Sequence, residues 1–500
     1  MADPERIAVI VGVGQVNDRP ADPMAGLDSL GLMVAALDAA DRDAGGGWLA
    51  DADSVAVVQQ ISFRQDSPLA EKVADAIGSR AGLVYESAGP NGDSPILLLN
   101  EAANRIARGE IRIAAVTGGE ALRTASQRAA LAAKTSVADQ NPLRNLAKGG
   151  KPGYRQSYGL STPVDVYPLY ENAGRAAYGQ TLAEGQQETG EIWSRFSRVA
   201  DATPAAWIHA PRSAAEVVEP TADNRPIAHP YTKLMVANSS VNQGAGFIVT
   251  SLAEARRRGV PDARLVYVGR GASAHEADDY LARDRYDLSP SMEVCLRRTL
   301  EWNRVTADDL DLAELYSCFP CVPKMARRVV GWPVDKPATV FGGLTFGGGP
   351  IGNYMSHAVA GMVDALRAGE GAKGLLFANG GFATHNHAIV LGTEPLPGAG
   401  EAHEFDCQAE ADAARGPVPP LAKDYVGPAE IETYTVFYRR DGTPRAGLVV
   451  ARTRDGARTL ARVSGEDAAT IAFLTDGAAE PVGTPGTVEP DGEMMRWRRT

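Results

Sequence analysis

One order of elements occurs twice in this chain. An apolar, β-branched run at residues 7–11 leads into the glycine turn of residues 12–14, and a later strand ends in the glycines of residues 118–119. The same order returns at residues 265–271 and at residues 375–381, and the two pairs of markers are separated by nearly the same number of residues. Such a repeat of strand and helix units predicts two similar α/β halves, whose mostly parallel strands are buried between helices.

The duplicated α/β fold is expected to occupy the first four fifths of the chain. Residues 1–255 form its first half and residues 256–394 its second, and residues 121–230 are inserted into the first half as a loop domain that covers one face. Residues 395–432 are rich in Pro, Ala, Gly and acidic residues, as in a linker. Over residues 433–500, period-two alternation between turn signals predicts a small antiparallel, five-stranded, OB-like β-barrel.

Composition limits the classes of partner. The chain has 500 residues, of which 44% are hydrophobic and 22% charged, as in a globular protein with a large core. Its formal net charge of -12 argues against a nucleic acid or an anionic membrane as the main partner. Four cysteines are too few for a disulfide framework, and neither a secretory signal nor a membrane-length apolar run is visible. These features predict a cytoplasmic protein without a membrane partner.

A glycine-rich loop is the most conspicuous candidate for a ligand site. Six glycines stand between residues 342 and 352, and a helical pattern follows from residue 353. Glycine permits sharp turns and close approach of the backbone to a ligand, and Pro350 restricts the chain just before the helix. A loop of this kind before a helix N-terminus is a suitable site for an anion or a developing oxyanion. The alternative is a tight structural turn.

Several stretches together resemble the thiolase superfamily, in particular its sterol-carrier-type branch. They are residues 7–15, 117–120, 230–235, 242–245 and 314–319, together with the glycine-rich loop. With a fused barrel at its C-terminal end, the chain is most similar to the group called thiolase-like protein type 1. The resemblance implies a duplicated thiolase fold layered α/β/α/β/α. It also implies membership of the acetyl-CoA acetyltransferase (acyltransferase) superfamily of lipid metabolism, whose members bind acyl-coenzyme A.

The resemblance also locates the catalytic groups of the family, and several are replaced here. Gly92 stands where the nucleophilic cysteine is expected, Gly349 where the activating histidine is expected, and Ala378 at about the place of a second cysteine. Thiolases need a thiolate and a positioned base to form an acyl-enzyme, so we expect no ordinary thiolase activity. Ser94 lies nearby but has no adjacent base, and either Asp93 or Ser94 is expected to cap the following helix.

Other reactive groups fall on the loops that the resemblance places around the site. A histidine near its usual pKa is a credible base and a tyrosine a credible acid, and the amides of residues 379–381 could donate to a thioester oxygen. The candidate catalytic residues are Tyr316, Tyr354, His357 and His385. The candidate substrate-binding residues are Gly92, Asp93, Ser94, Gly349, Asn379 and Gly380.

The preferred function is therefore a thiolase-like protein that binds a coenzyme A thioester, as substrate or ligand, without a further cofactor. One alternative is a retro-aldol lyase for β-hydroxyacyl-CoA that uses Tyr316, Tyr354 and His357; another is a non-catalytic CoA-binding or scaffold protein. Whether the chain is an enzyme stays open, as does the choice between monomer and homodimer. No metal site is predicted, because His385 and His387 have no third ligand nearby in the sequence.

Three further groups of residues each have two interpretations. The insertion carries basic residues that could meet phosphates or form a solvated surface, namely Lys134, Lys148, Lys151 and Arg155. Cys318 and Cys321 form a CxxC pair, which we interpret as buried structural thiols because no second pair would complete a zinc site. The barrel has aromatic and basic residues near residues 434–440, but the net charge makes nucleic acid an improbable ligand.

Overall fold

A mixed sheet of ten strands forms the centre of the molecule, in a computed structural model that describes residues 3–140, 142 and 153–499. In chain order the strands are β1 (Ala8–Asn17), β2 (Ser54–Val57), β3 (Leu83–Glu86), β4 (Ile113–Ala121), β5 (Pro226–Ala228), β6 (Tyr231–Thr232), β7 (Asn242–Ser251), β8 (Val266–Val268), β9 (Ala272–His275), β10 (Leu312–Leu315), β11 (Lys373–Gly380), β12 (His385–Gly392), β13 (Gly427–Tyr438), β14 (Pro444–Thr453), β15 (Arg458–Ser464), β16 (Pro485–Asp491) and β17 (Met494–Arg499).

Fourteen α-helices are found in the described part of the chain. They are α1 (Ser29–Asp43), α2 (Ala70–Ala76), α3 (Ser94–Arg108), α4 (Leu122–Ala133), α5 (Tyr154–Ser157), α6 (Pro163–Ala177), α7 (Leu182–Ala202), α8 (Ala214–Val218), α9 (Leu252–Arg257), α10 (Pro290–Asn303), α11 (Cys321–Val330), α12 (Tyr354–Arg367), α13 (Gln408–Ala414) and α14 (Ala468–Thr475). The glycine-rich loop contains a π-helical turn at Gly343–Gly347 and a 3-10 turn at Ile351–Asn353. In the described part of the chain, no helix is both long and apolar enough to cross a membrane.

The strand pairings confirm the predicted duplication. The first half has the order β3-β2-β4-β7-β1, and the second has the order β10-β11-β12-β8, with β9 beside β12. In the first half, β4 pairs in parallel with β2 and antiparallel with β7. In the second half, β11 pairs in the same way, in parallel with β10 and antiparallel with β12. The two halves meet where β1 pairs with β8, at Val9–Tyr267 and Ile10–Val266. The same connectivity is therefore built twice.

The expectation of mostly parallel strands was wrong. β7 runs antiparallel to both β1 and β4, and β12 runs antiparallel to both β11 and β8. The short turn of residues 381–384 between β11 and β12 is a hairpin connection, whereas a parallel return would need a crossover of a dozen or more residues. Alternation of strands and helices in the sequence does not determine which strands become neighbours, so it does not determine strand direction.

Helices cover the sheet on both faces, which explains why β1 is apolar at consecutive positions. Val9 and Val11 pack with Leu37 of α1 in an outer core. Ile10 points to the opposite face and joins the large central core, which contains Met355 of α12 and residues of α3. Because α3 and α12 contact each other between the halves, the loops that precede their N-termini are brought to one place. Those two loops hold Gly92 and the glycine-rich segment.

The C-terminal region forms a closed barrel of five strands in the order β14-β15-β17-β16-β13, with β13 pairing again with β14. Its first strand begins at Gly427 rather than at residue 433. The insertion extends this sheet, because β5 pairs with β13 at Ala228–Phe437 and β6 pairs with β5. The stretch expected to be a linker contains α13, whose Ala411 is fully buried. The barrel is thereby attached to the duplicated body through main-chain pairing.

Candidate active-site cavity

A cavity of about 800 Å³ lies where the two halves, the insertion and the barrel meet. Its inner end is lined by loops of both halves, and these contribute Asn91, Gly92, Tyr316, Cys318, Gly349, Asn379 and Gly380. Its outer end is lined by the insertion and the first barrel hairpin, which contribute Arg225, Phe437, Tyr438, Arg440 and Arg445. Four of the predicted substrate-binding residues, Gly92, Gly349, Asn379 and Gly380, therefore lie together with one predicted catalytic residue, Tyr316.

Parallel pairing brings the inner loops together. β10 and β11 run side by side, with Leu315 opposite Phe377, so both strands end at the same edge of the sheet. The amide of Tyr316 donates to the carbonyl oxygen of Phe377 at 3.0 Å, which holds the start of its loop against β11. Carboxyl ends of neighbouring strands are a usual place for ligand sites in α/β folds. The parallel pairing of β10 with β11 therefore explains why the loops that follow these two strands lie close together.

Gly92 has no space for a side chain. A Cβ atom built on this residue would overlap the main-chain oxygen of Asn379 and the phenol oxygen of Tyr316, well inside van der Waals distance. Tyr316 thus fills the volume that a thiol at residue 92 would need. Glycine is required at this position because two neighbouring groups approach its Cα directly.

Burial keeps Tyr316 in its neutral form. Its side chain is 5% exposed, and this burial raises the pKa of the phenol well above its ordinary value. The ring stands edge-on to that of Tyr354, with centroids 5.8 Å apart and an interplanar angle of 89°. At neutral pH, Tyr316 can therefore donate a hydrogen bond at the inner end of the cavity, but it does not supply a phenolate.

Two other predicted catalytic residues lie behind the cavity rather than in it. Tyr354 donates to Glu314 Oε1 at 2.7 Å, and His357 Nδ1 is 2.8 Å from Gln15 Oε1. Both side chains are fully buried, and both rings contact Phe341, at centroid distances of 5.9 and 5.0 Å. They share a helical face, as their spacing predicted, but that face meets the core. Neither side chain is among the groups that line the cavity.

A buried carboxyl group organises this region. Glu314 accepts from Tyr354, from Thr339 Oγ1 at 2.8 Å and from the amide of Val340 at 2.9 Å. Burial raises the pKa of Glu314 to about 7, although the three donors act in the opposite direction. Because the Tyr354 hydroxyl is already used by Glu314, and burial raises its pKa well above 10, Tyr354 positions Tyr316 rather than offering an acid to the cavity.

The buried His357 makes stability depend on pH. Burial lowers the pKa of His357 from 6.5 to about 3, so the side chain stays neutral in the fold but gains a proton on unfolding. The contribution of the neutral, buried His357 to the free energy of unfolding is complete above pH 6.5 and is lost as the pH falls towards 3. When the pH falls from 7.5 to 5.0, the free energy of unfolding of the wild type is expected to decrease by about 2 kcal/mol more than that of His357→Gln. Urea denaturation of both proteins at the two pH values measures this, and equal losses would contradict it.

The start of α3 corrects the expected role of Ser94. Asp93 is the residue before the first helical turn, and neither its carboxylate nor Ser94 makes a side-chain capping bond. Instead, Ser94 Oγ donates to the carbonyl oxygen of Gly89 at 3.1 Å. This bond closes the turn of residues 89–94 and places Gly92 at the end of the cavity. The Asp93 side chain is free of the capping role and points to a different group of residues.

The structure also corrects the expectation that His385 has no nearby ligand partners. Asp93, His275 and His385 present ligand atoms that all lie within 4.8 Å of one another. The neighbouring His387 points elsewhere, with Nε2 2.9 Å from Asn100 Nδ2. The sequence argument considered only near neighbours along the chain, whereas a strand pair and a helix start supply the other two side chains. This cluster lies next to Gly92 but is not part of the cavity lining.

Sequence reasoning missed Tyr167, which organises the cavity wall. Its hydroxyl accepts from the amide of Ala383 at 2.9 Å and donates to the carbonyl oxygen of Gly381 at 3.1 Å. Its ring stacks on Phe319 with centroids 4.4 Å apart. The neighbouring Cys318 has its pKa raised to about 12 by burial, so it is a thiol rather than a nucleophilic thiolate at neutral pH. The sequence signal that could have identified Tyr167 was the pair of aromatic residues, Tyr167 and Tyr170, in α6.

Of the four basic residues predicted to be available in the insertion, the two that the structure describes, Lys134 and Arg155, do not line the cavity. Arg155 pairs with Asp279, and Lys134 ends α4 in a left-handed conformation. Lys148 and Lys151 lie outside the described residues. The arginines that reach the cavity are Arg225 from the insertion and, more than 200 residues later in the sequence, Arg440 and Arg445 from the barrel. Only the pairing of β5 with β13 brings them to one rim.

Comparison with known proteins agrees with this architecture. Residues 406–493 match the family described as "Thiolase-like protein type 1 additional C-terminal domain". A monomeric SCP2-thiolase-like protein type 1 from Mycobacterium smegmatis superposes with a TM-score of 0.82 at 31% identity, over 100% of both chains. No curated protein sequence matches the chain.

The duplicated body alone is similar to other thiolase-fold proteins. Human mitochondrial 3-ketoacyl-CoA thiolase superposes with a TM-score of 0.56 at 14% identity, and covers 78% of this chain and 100% of its own. The Ltp2-ChsH2(DUF35) aldolase superposes with a TM-score of 0.58 at 18% identity, over 78% of this chain and 98% of its own. At these identities the similarity concerns the fold.

Proposed function

Because this chain belongs to the SCP2-thiolase-like protein type 1 family, we propose that its cavity binds a coenzyme A thioester without forming an acyl-enzyme. The observation that carries the proposal is the change in chemistry along the cavity. One end presents glycines, main-chain groups and a neutral phenol, and the other presents three arginines and two aromatic rings. A coenzyme A thioester has the complementary distribution of groups, with the thioester at one end and the phosphates and adenine at the other.

The inner end suits the acyl part of the ligand. Gly92 and Gly380 leave the backbone accessible, and the Tyr316 hydroxyl is a neutral donor beside them. Preorganised donors of this kind bind a thioester carbonyl oxygen and stabilise negative charge that develops on it. We expect no covalent attack on the thioester, because Gly92 carries no nucleophile, Gly349 stands where the resemblance places the activating histidine, and His357 lies in the core.

The outer end suits the phosphates and the adenine ring. Arg440 lies in the hairpin between β13 and β14 and is exposed, as is Arg445 on β14. The guanidinium of Arg445 lies over the Phe437 ring, 5.3 Å from its centroid. Arginine forms paired hydrogen bonds with phosphate oxygens, and aromatic side chains provide stacking surfaces for a base. The barrel would thus contribute the nucleotide half of the binding site.

We expect the double substitution Arg440→Ala/Arg445→Ala to weaken binding of acetyl-CoA about 10- to 100-fold. Each hydrogen bond to a charged group contributes about 1.5–3 kcal/mol when buried, and these exposed contacts are expected to contribute at the lower end of that range. Isothermal titration calorimetry measures the affinity. Arg454→Ala is the matched control, since Arg454 is an exposed arginine of the same barrel that does not line the cavity. Equal affinities of the double variant and wild type would reject this site.

The same preparation distinguishes binding from catalysis. Intact-mass measurement after incubation with acetyl-CoA or acetoacetyl-CoA is expected to show no covalent acyl adduct, because the position of the nucleophile is glycine. Of the residues required by the lyase alternative, only Tyr316 lines the cavity. Release of a carbonyl product from a β-hydroxyacyl-CoA, abolished by Tyr316→Phe, would replace the binding-only proposal with the lyase. Binding of the β-hydroxyacyl-CoA without turnover would support the binding-only proposal.

A further inference from the structure

Three potential metal ligands converge from distant parts of the chain. Asp93 precedes α3, His275 ends β9 and His385 begins β12. Their ligand atoms lie within 4.8 Å of one another. The cross-strand pairing of His275 with His385 places both imidazoles on the same face of the sheet, with ring centroids 4.6 Å apart. The start of α3 closes the group from the opposite side.

The set has the composition of an open transition-metal site. Two imidazoles and one carboxylate bind Zn²⁺ and similar divalent ions, and three protein ligands leave a position for water or a further ligand. Asp93 is only 4% exposed, and its carboxylate makes no capping hydrogen bond to α3. A cation between the three side chains would neutralise this carboxylate.

We propose that Asp93, His275 and His385 bind a divalent transition metal ion, for which Zn²⁺ is the probe. Ligand atoms around a tetrahedral zinc ion lie roughly 3.4 Å apart, given bonds of about 2.0–2.1 Å. The ligand atoms therefore need to approach one another by up to about 1.4 Å, from the observed limit of 4.8 Å, and His275 can move because it is exposed at the surface. The bound ion would join β9 and β12 to the start of α3, directly behind Gly92.

A second carboxylate supports the geometry from outside. His385 Nε2 is 3.1 Å from Asp278 Oδ1, and the Asp278 side chain is 88% exposed. A carboxylate that contacts a ligating histidine orients its ring and increases its basicity, and the loss of such a partner lowers metal affinity about 10- to 100-fold. We assign Asp278 this positioning role because it contacts one histidine rather than the centre of the group.

Metal titration of the full chain tests the site without any coenzyme A ligand. After treatment with a chelator and dialysis, the wild type is expected to bind one equivalent of Zn²⁺ in calorimetry. Asp93→Asn and His275→Ala are each expected to weaken that binding at least 100-fold, and Asp278→Asn about 10- to 100-fold. His209→Ala is the matched control, since His209 is an exposed histidine outside the cluster. Its affinity is expected to equal that of the wild type.

Spectroscopy and folding controls make the result decisive. Co²⁺ in place of Zn²⁺ is expected to give visible bands of a nitrogen and oxygen site, without the charge-transfer bands of a thiolate ligand. Far-ultraviolet circular dichroism of the metal-free variants checks that they fold, and Zn²⁺ is expected to raise the melting temperature of the wild type but not that of His275→Ala. Absence of saturable binding, retention of full affinity in both ligand variants, or a cobalt–thiolate band would each overturn the proposal.

Discussion

Replacing Lys324 with methionine is expected to lower the free energy of unfolding by about 3–5 kcal/mol. Lys324 Nζ lies 2.6 Å from Glu171 Oε1, and the two side chains are 3% and 4% exposed. The other oxygen of Glu171 accepts from the Tyr231 hydroxyl at 3.0 Å. Methionine would leave a buried carboxylate with one neutral donor and no cation, and the cost of that desolvated charge gives the expected loss.

The effect depends on burial, so a surface pair is the control. Arg256 and Asp262 lie 3.3 Å apart with 50% and 67% of their side chains exposed, and Arg256→Met is expected to cost at most about 1 kcal/mol. Equilibrium denaturation in urea gives both values under the same conditions. A second substitution, Glu171→Gln in the Lys324→Met background, is expected to recover part of the loss because it removes the unpaired charge. A Lys324→Met loss as small as that of the surface variant would refute the argument.

This ion pair also connects the elements that form the cavity wall. Glu171 lies on α6 and Lys324 on α11, and Lys324 Nζ further donates to the carbonyl oxygen of Gly185 on α7 at 2.8 Å. α6 carries Tyr167, whose ring stacks on Phe319 just before α11. We therefore expect Lys324→Met to weaken acetyl-CoA binding as well, through displacement of the wall rather than through loss of a ligand contact.

Gly92→Ala is expected to weaken acetyl-CoA binding by more than tenfold and to cost about 1–3 kcal/mol of stability. The added methyl group would overlap the Asn379 main-chain oxygen and the Tyr316 phenol, so the end of the cavity has to rearrange. Gly92→Cys is expected to be equally impaired and to show no acyl adduct, since its thiol has no space beside Tyr316. Calorimetric titration, urea denaturation and intact-mass measurement provide the three readouts.

A glycine in the same loop separates crowding from general loop effects. A Cβ atom at Gly89 would meet only the Asn91 side chain, at 3.3 Å, so Gly89→Ala is expected to keep wild-type affinity. Adding Tyr316→Ala to Gly92→Ala should restore only part of the stability, because the Asn379 main-chain oxygen remains. If Gly92→Ala binds acetyl-CoA as tightly as Gly89→Ala does, the space at residue 92 is larger than the structure shows and the steric account fails.

Local patterns were sufficient for much of the architecture. The apolar strand before Gly12, its repetition before Gly269 and the period-two alternation beyond residue 433 reflect rules that act over a few residues. The inner end of the cavity was predictable for a different reason. The resemblance to thiolases assigned Gly92, Gly349 and Gly380 to loops of one site, and in the structure these loops meet at the cavity.

The partners of individual side chains were not predictable in this way. His357 and Tyr354 have reactive side chains in the right segment, yet their helix turns them into the core, towards Gln15 and Glu314. The direction of a helical face depends on what packs against it, and that packing involves residues from the opposite end of the chain. The prediction of mostly parallel strands failed for a related reason. Strand direction is determined by which strands become neighbours in the sheet, and not by the alternation of strands and helices in the sequence.

From the sequence alone, the duplication and the C-terminal barrel could be determined, because each is recorded in short stretches of residues. Only the tertiary structure decided that Tyr316 fills the space beside Gly92 and that Asp93 meets two histidines. Those contacts arise where β9, β12 and the start of α3 are brought together by the packing of both halves. Contacts of this kind are selected by the energy of the whole core, which no single segment of sequence contains.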